Sequence, residues 1–424
     1  MHLSSGASGG RGSHVLIFFS LSLLLLGLLS LPTSALPRSS PSLVIAAYTV
    51  NSTADPGVGT CNATECTLRE AIGAATGTDT IAFDIPATDP NYGLNTAGVW
   101  TIVLASTLNA PSGDIVDGTT QATNYSSDTN PYGPEIEISG ESLGPGTVCW
   151  FIGSDNTIRG LVINRCPAYG IFISGGDNNT IIGNYIGTDA TGTTDQGVGQ
   201  DGILLNNGAQ NNIIGGSSEA ERNIISANVG GIRIADATTT GNVIKGNYIG
   251  TDRTGTTSLG NGSYGVEIHA DADSNTVGPG NIIAYNGVYG GVWVDGASTL
   301  YNRITQNSIH SNVLEGIRLT NGGNGNLMAP TVLAAICTAG SGTSGADLQI
   351  EVFSDVDGEG RFFEMTLGSA SGSFSFFPAG DIFRHRYVTL TATDASGNTS
   401  EFSAPYPNGC SYIYLPLIMK NYAP

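Results

Sequence analysis

Basic residues are scarce in this 424-residue chain, which has 15 Lys and Arg against 35 Asp and Glu and a net charge of −20. The shortage argues against duplex nucleic acid as a partner, because affinity for the duplex comes mostly from Lys and Arg that neutralise phosphates. An acidic surface instead suits solubility outside cells. We therefore expect no nucleic-acid partner.

Charged residues of either sign make up only 12% of the chain, whereas 60 residues are Gly. Too few Lys, Glu and Arg are present to cover the outer faces of helices, and Gly weakens helices further. Disorder is also disfavoured, because 40% of the residues are hydrophobic and disordered chains have low hydrophobicity. Many short β-strands joined by Gly, Asn and Thr turns fit better, so we expect an all-β fold.

Long hydrophobic runs are lacking except at residues 15–31. This run follows a weakly basic start with Arg11 and His14 and precedes small residues at 33–35, which predicts a secretory signal peptide over residues 1–35. The alternative is an uncleaved membrane anchor, since the run approaches spanning length. We expect a secreted or cell-surface protein with no integral membrane span in the mature chain, and a monomer.

Cysteines are few but even in number, six in all. Export makes disulfides feasible. Cys61 and Cys66 are close enough to close a small loop, and Cys337 and Cys410 bracket one C-terminal segment. The pairing of the remaining two, at positions 149 and 166, stays open because connectivity cannot be read from sequence.

An internal repeat is present in the middle of the chain. Its pattern is N-x-I, N-x-I, N, then G-I-x-[IL], as at residues 302–319, with further copies at 223–234, 281–294 and 156–173, the last with Cys166 in place of an Asn. Apolar residues separated by one position indicate strands, and coils that cannot bury their inner faces alone must stack. We expect Ile stacks inside, Asn ladders at the turns and Gly at corners that need positive φ.

Two copies carry nearly identical insertions, at residues 183–194 and 246–257. Loops added to a repeat usually emerge on one face, often the binding face. Asp189 and Asp252 in these insertions have two interpretations, a cation site or turn caps formed by Asx hydrogen bonds. The turn caps are favoured.

A helix is predicted at residues 66–75, because Thr67 can act as N-cap with Glu70 three residues on. Leu68, Ile72 and Ala75 share one face of this helix, which can cover the first coil of a stack. No other convincing helix is predicted in the mature chain.

The repeat, over roughly residues 80–326, resembles the right-handed parallel β-helix superfamily, which includes pectate lyases. Residues 66–71 resemble the Cys-Ser-Leu-Arg-Glu-Ala motif of exported bacterial β-helix proteins, with Thr67 in place of Ser. The resemblance implies export, an N-terminal cap over residues 48–80 and a β-helix over 81–326. It brings no known catalytic residues.

The repeat stops at Pro330, and strands are predicted at 348–353, 362–367, 373–377 and 387–393. Residues 391–403 resemble the last hairpin of bacterial immunoglobulin-like modules, so a small immunoglobulin-like β-sandwich is expected over 330–411. The apolar tail, residues 412–424, has two open interpretations, a terminal strand or a sorting signal.

Three spaced carboxylates, Asp355, Asp357 and Glu359, lie among glycines. Such spacing can hold Ca²⁺, but the pattern is incomplete for a helix–loop–helix site. A hairpin loop is the favoured interpretation, and no cofactor beyond a possible Ca²⁺ is expected.

The repeat also predicts which side chains face outward. Alternation along the G-I-x-[IL] strands gives two outer ladders: Phe172, Leu204, Arg233, Glu267, Trp293 and Arg318; and Ser174, Asn206, Ala235, His269, Asp295 and Thr320. A patch is expected where the ladders are richest in charge, made of Arg233, Glu267, His269, Trp293, Asp295 and Arg318.

This patch has a chemical and a plain interpretation. Glu267 and Asp295 lie near glycosidase spacing, His269 could act as a base, an Arg could neutralise a uronate, and Trp293 could stack on a sugar. The plain alternative is an exposed sheet with ion pairs of small net value. Paired Asp and Gly-His-Gly segments, expected of a polygalacturonase-like site, are missing.

Three functions therefore stay open. The favoured one is a non-enzymatic secreted or cell-surface protein that binds polysaccharide or another extracellular polymer. The alternative is a polysaccharide lyase or glycoside hydrolase acting on an acidic polysaccharide. The third is a purely structural envelope component.

Overall fold

The computed structural model describes residues 47–56, 59–125 and 127–410. The expected signal peptide and the apolar tail at 412–424 lie outside these residues. Within the described part of the chain, no helix is both long enough and apolar enough to cross a membrane.

Three parallel sheets, numbered 1 to 3 in the order in which each coil visits them, form a parallel β-helix. Sheet 1 contains Ala47–Val50, Thr80–Phe83, Ile115–Asp117, Thr157–Arg159, Thr180–Ile182, Ile213–Ile214, Val243–Ile244, Thr276–Val277 and Arg303–Ile304. Sheet 2 contains Trp100–Val103, Ile136–Ser139, Leu161–Asn164, Tyr185–Ile186, Ile224–Ile225, Tyr248–Ile249, Ile282–Ala284 and Ser308–His310. Sheet 3 contains Leu108–Ser112, Trp150–Ser154, Ile171–Ser174, Asp201–Asn206, Gly230–Ala235, Tyr264–His269, Gly290–Asp295 and Ile317–Thr320. The predicted β-helix is therefore confirmed.

Apolar side chains stack in register inside the three sheets. Ile171, for example, pairs with Ile203, and Ile203 pairs with Ile232. These residues are fully buried in one continuous core that runs from the N-terminal helix to the last coil. Burial of this kind, at about 25 cal/mol per Å² of apolar surface, is the main term that stabilises a stack of short strands.

Buried asparagines form the predicted ladders. In one of them Asn179 donates its backbone N–H to Oδ1 of Asn212 (2.9 Å), and Asn212 donates to Asn242 in the same way (3.0 Å). The Asn212 side-chain amide also donates to Asn242 and to a backbone carbonyl. Burying an amide group costs free energy unless the group is hydrogen-bonded. Each coil therefore favours an Asn at the equivalent turn of the next coil.

Corner glycines such as Gly183 and Gly246 have the expected positive φ (+66° and +67°), but the expectation is wrong for the glycines of the G-I-x-[IL] strands. Gly170, Gly202, Gly231, Gly265 and Gly291 all have ordinary φ values. A Cβ at these positions would lie 2.2–2.9 Å from the carbonyl oxygen of the equivalent glycine in the next coil. Close stacking of backbones, rather than the left-handed conformation, therefore requires Gly at this position.

The N-terminal helix spans Leu68–Ala74 and begins with the predicted capping box between Thr67 and Glu70. Arg69 on this helix pairs with Asp55 (2.6 Å) and donates to the carbonyls of residues 106 and 107. The helix therefore covers the open end of the first coils. A second short helix, Thr120–Asn124, was not predicted, and 3-10 turns lie at Glu219–Glu221 and Gly323–Asn326.

After the last coil, two antiparallel sheets form the predicted small β-sandwich. One contains Thr331–Ile336, Ala339–Thr343 and Ser373–Phe376, and the other contains Gln349–Asp355, Phe362–Gly368, Tyr387–Thr393 and Tyr406–Pro407. The first two strands were not predicted, because residues 331–343 are rich in Ala, Gly and Thr and show no clear alternation. The sandwich has a core of its own that includes Ile350, Phe376 and Leu390.

Disulfides join all six cysteines. Cys61 pairs with Cys66 and Cys337 with Cys410, as predicted. The pairing that the sequence left open is Cys149 with Cys166, inside the β-helix. Cys166 thus stands in an Asn position of the repeat, and its disulfide joins this coil to the preceding one.

Asp189 and Asp252 cap their own turns, which confirms the favoured interpretation. Asp189 Oδ1 accepts the backbone N–H groups of residues 193 and 194 (3.1 Å each). Asp252 Oδ1 accepts the N–H groups of residues 254 and 257. Asp355 likewise accepts N–H groups of Gly358 and Gly360 in its hairpin.

Candidate functional site

The outer side of sheet 3, called here the sheet-3 face, carries the two predicted ladders. Register pairs Phe172 with Leu204 and Leu204 with Arg233. The same ladder continues through Glu267 and Trp293 to Arg318. The second ladder pairs residue 235 with 269 and residue 295 with 320. The structure therefore brings the six predicted patch residues onto neighbouring coils.

A cluster of four polar side chains lies at the centre of this face. Arg233 Nε lies 2.8 Å from Glu267 Oε2 and 3.3 Å from Asp201 Oδ2. Tyr264 donates its hydroxyl to Asp201 Oδ1 (2.6 Å) and accepts from Arg233 Nε (2.9 Å). Asp201, Tyr264 and Glu267 are buried. We call these four residues the central cluster.

Burial dominates the electrostatics of the central cluster. It raises the pKa of Asp201, against the opposing effects of the Arg233 charge and the Tyr264 hydroxyl. It also raises the pKa of Tyr264, and the neighbouring carboxylates raise it further, so the phenol stays protonated. Burial lowers the pKa of Arg233, but Asp201, Tyr264 and Glu267 more than offset this and the net shift is upward. The guanidinium of Arg233 is therefore charged, and the carboxylates of Asp201 and Glu267 compensate its charge.

An aromatic platform lies beside the central cluster. The rings of Tyr289 and Trp293 stack with centroids 4.3 Å apart and planes 6° apart. Tyr289 is 38% exposed, and the guanidinium of Arg318 lies 5.9 Å from its ring centroid. Trp293 Nε1 donates to the hydroxyl of Thr320 (2.7 Å), which fixes the indole. At the other end of the face, Phe172 packs against two further aromatic residues, Phe151 and Tyr169. The ring centroids are 5.5 Å apart in each pair.

Several polar atoms on this face have no hydrogen-bond partner although they are buried. They are Asn206 Oδ1, His269 Nε2, Asp201 Oδ2 and Glu267 Oε2. The last two lie within ion-pair distance of Arg233 but are poorly aligned for hydrogen bonds, so they retain acceptor capacity. Unpaired buried polar atoms are rare in folded proteins and call for an explanation. Their concentration here marks the face as a candidate binding site.

The remaining predicted residues hold different positions. Asp295 Oδ1 accepts from Thr320 (2.5 Å) and from the amide of Asn321 (2.7 Å), so it supports the strand end. Arg318 lies 4.0 Å from Glu315, which is exposed, and is therefore more available than Arg233. Among the described residues, no group of three or more His, Cys, Asp or Glu is arranged to hold a metal ion.

Asp201, Tyr264 and Tyr289 were not predicted from the sequence. Asp201 and Tyr264 directly precede the repeat glycine, where strand alternation no longer sets the direction of a side chain. Between their coils stands Gly230, where a Cβ would lie 2.2 Å from Asp201 Oδ1 and 2.6 Å from the Tyr264 ring. The alternation of large and small residues before the repeat glycine is the signal that could have found them.

No protein-family model matches the chain, and no curated protein is significantly similar in sequence. Among solved structures, the A-module of the mannuronan C-5 epimerase AlgE4 from Azotobacter vinelandii aligns at 15% identity over 64% of this chain and 70% of its own, with a TM-score of 0.35. The enzymatically active domain of tailspike protein 2 from bacteriophage CBA120 aligns at 12% identity over 86% and 64%, with a TM-score of 0.27. ORF18 of Geobacillus virus E2 aligns at 13% identity over 88% and 80%, with a TM-score of 0.30. Similarity at this level does not extend to a function.

Proposed function

We propose that the protein is a non-enzymatic extracellular protein whose sheet-3 face binds a polysaccharide chain. The exposed Tyr289–Trp293 platform carries this proposal. Aromatic rings with a polar edge provide large rigid contact area at low cost in conformational entropy. The protein leaves this stacked pair partly open to solvent and fixes it through Thr320, so the platform is a preformed surface on which a sugar ring can lie.

The neighbouring polar atoms supply the second requirement of a sugar site, which is hydrogen bonding to hydroxyl groups. Asn206 Oδ1 and His269 Nε2 lie without partners on the same ladder as Asp295. Sites that combine apolar surface with a few fixed polar groups bind ligands with defined orientation. A chain running along the stack would meet aromatic rings at both ends and polar groups between them.

Charge favours a polymer with few acidic groups. Arg233 is neutralised by two carboxylates, so Arg318 is the cation on this face with the least compensation. The net charge of −20 adds a general repulsion of polyanions. We therefore propose a neutral polysaccharide as the preferred ligand. Extracellular location is part of the proposal and is supported by the three disulfides, which persist in oxidising compartments.

Binding to immobilised neutral and acidic polysaccharides tests the proposal. Trp293→Ala and Tyr289→Ala are expected to weaken binding about tenfold, the usual cost of losing a central aromatic anchor. Phe377→Ala is the matched control, because Phe377 is an exposed aromatic residue on the sandwich. Retention of no polysaccharide by the wild-type protein, or equal losses in all three variants, would refute the proposal.

A second candidate function is cleavage of an acidic polysaccharide at Glu267 and His269, with Asp295 on the adjacent coil. His269 favours it, because its Nε2 is unpaired and the residue lies on the same side of the same strand as Glu267. A general base needs a nitrogen whose lone pair is not taken by another hydrogen bond. This function predicts release of unsaturated or reducing ends, lost in Glu267→Gln and His269→Ala. Activity that survives both changes in folded variants would remove the site assignment.

A further inference from the structure

A cleft lies at the corner between sheets 1 and 2, away from sheet 3. Two coils turn this corner over very few residues, Gly160 in one and Gly183–Asn184 in the next. The coils on either side carry insertions, residues 118–135 before them and 215–223 after them. The short turns form a floor and the insertions form walls around a cavity of about 360 Å³. We call it the corner cleft.

Both walls are held in place by hydrogen bonds. Asn130 donates from its buried side-chain amide to the carbonyls of Pro134 and Ala190, each at 2.8 Å. Tyr185 donates its hydroxyl to the carbonyl of Tyr132 (2.6 Å). In the other wall, Glu221 accepts from the backbone N–H groups of residues 217 and 218. The cleft is therefore a built feature, which lowers the entropic cost of binding.

The key group is Glu135, which is 4% exposed and lines the corner cleft. Its Oε1 accepts from the backbone N–H and the hydroxyl of Thr129. Its Oε2 has no hydrogen-bond partner although it is buried. A carboxylate oxygen without a donor inside a protein is costly. A ligand that donates to Oε2 would remove this cost.

The rest of the lining defines the ligand further. Three carboxylates, Asp128, Glu135 and Glu219, line the cleft together with one guanidinium, Arg222, which lies 3.8 Å from Glu219. That guanidinium lies 4.1 Å from the centroid of the Tyr248 ring, and its buried Nε has no hydrogen-bond partner. The excess of negative charge favours a cation, while the Arg222 Nε–H needs an acceptor. Pro131, Pro134 and Ala220 give the walls an apolar surface.

We propose that the corner cleft binds a small hydroxylated amine of the size of one amino sugar. Its ammonium group donates to Glu135 Oε2, and a hydroxyl oxygen accepts from Arg222 Nε. The bond to Glu135 is charge-assisted and is therefore stronger than a bond between neutral groups. A cavity of this volume is at the lower end of the range for small-molecule sites. The inference is independent of the function proposed for sheet 3.

Calorimetric titration with glucosamine tests this inference. Glucose, which lacks the amine, and N-acetylglucosamine, whose amine is capped, serve as comparison ligands. Glucosamine is expected to bind saturably, and both comparison ligands at least about tenfold more weakly, the effect of one lost charge-assisted bond. Equal binding of glucose would overturn the assignment of the ligand class, and no saturable binding of glucosamine would overturn the site.

Two variants locate the binding. Glu135→Gln replaces the unpaired acceptor by a donor and is expected to weaken glucosamine binding about tenfold. Ala220→Trp keeps every charge, places a large side chain in the wall from an exposed position and is expected to abolish binding. Glu315→Gln, an exposed carboxylate outside the cleft, is the control. If Glu135→Gln does not fold, Ala220→Trp decides alone, and unchanged binding in that variant would contradict the proposal.

Discussion

At the residue scale, the central cluster depends on Gly230, which has no side chain. Tyr264 reaches Asp201 across the coil of Gly230, because a glycine leaves the space between them open. The resulting hydrogen bond holds the carboxylate that pairs with Arg233. One glycine therefore connects the geometry of three coils.

Gly230→Ala is expected to destabilise the protein by about 1–3 kcal/mol, because the new Cβ separates Tyr264 from Asp201 and leaves a buried carboxylate short of a donor. Chemical denaturation measures the change in the free energy of unfolding. Gly262→Ala is the matched control, since Gly262 is exposed and its nearest neighbour would lie 3.7 Å from the new Cβ. Equal stability of the two variants would show that the cluster does not depend on this gap.

Prediction from sequence succeeded for residues in the middle of the strands and failed for residues at the first position of a strand. Glu267 and Trp293 were placed on the outer ladder because alternation fixes the direction of a side chain within a strand. Asp201 and Tyr264 were missed because they lie at the strand start, where the corner sets their direction. The burial of Glu267 was also missed, since it depends on packing against Arg233.

At the element scale, the sandwich continues the pattern of the coils. Asn286 donates to Asn312 within one ladder, and Asn312 donates its backbone N–H and its amide to Glu359 Oε2 (3.1 Å each). Glu359 thus takes the place that the next asparagine would occupy. From the sequence, Glu359 was grouped with its neighbours Asp355 and Asp357. Its contact with Asn312 was not predicted, because the two residues are 47 positions apart in the chain.

Glu359 should make stability depend on pH. Burial raises its pKa to about 7, in part opposed by the bonds from Asn312 and reinforced by Asp357 and Asp355. Between its unfolded value near 4.5 and about 7 the folded chain holds the extra proton, so the free energy of unfolding falls as pH rises through this window. Burial lowers the pKa of His310 to about 4, which gives the opposite slope between about 4 and 6.5.

Comparison of Glu359→Gln with the wild-type protein isolates the Glu359 contribution. Gln keeps an acceptor for Asn312 and carries no charge. The free energy of unfolding of the variant is therefore expected to equal that of the wild type near pH 5 and to exceed it at pH 8. Denaturation at both pH values measures this difference, with Glu315→Gln as a control for the loss of one exposed negative charge. A difference between wild type and Glu359→Gln that is the same at both pH values would contradict the expectation.

At the scale of the whole molecule, both ends of the stack are covered. A solenoid exposes core and unpaired backbone at its terminal coils. Leu68, Ala71 and Ile72 of the N-terminal helix are buried over the first coils. At the other end, three segments of the last coil donate to the sandwich: Ile304 N–H to Thr399, Asn312 N–H to Glu359, and Leu319 N–H to Glu401.

Truncation after residue 328 should therefore weaken the β-helix. Removing these acceptors costs about 1 kcal/mol each, and with exposure of the last coil we expect a melting temperature lower by roughly 10 °C. Exposed strand edges also favour self-association, which size-exclusion chromatography with light scattering would detect. Removal of residues 412–424 alone is the control. An unchanged melting temperature in a monomeric truncated protein would show that the sandwich is an independent module.

The sequence by itself determined the β-helix, the Asn ladders, the capping helix, most of the sandwich strands and the order of the outer ladders. These features depend on residues that are close together in the sequence, so the Asn, Ile and Gly pattern within each coil is enough to predict them. Only the tertiary structure decided that the repeat glycines allow close stacking of backbones and that Cys149 pairs with Cys166. It also decided that neighbouring carboxylates compensate the charge of Arg233 and that two insertions enclose the corner cleft. Each of these depends on contacts between coils, where the spacing along the chain varies with the length of every intervening loop.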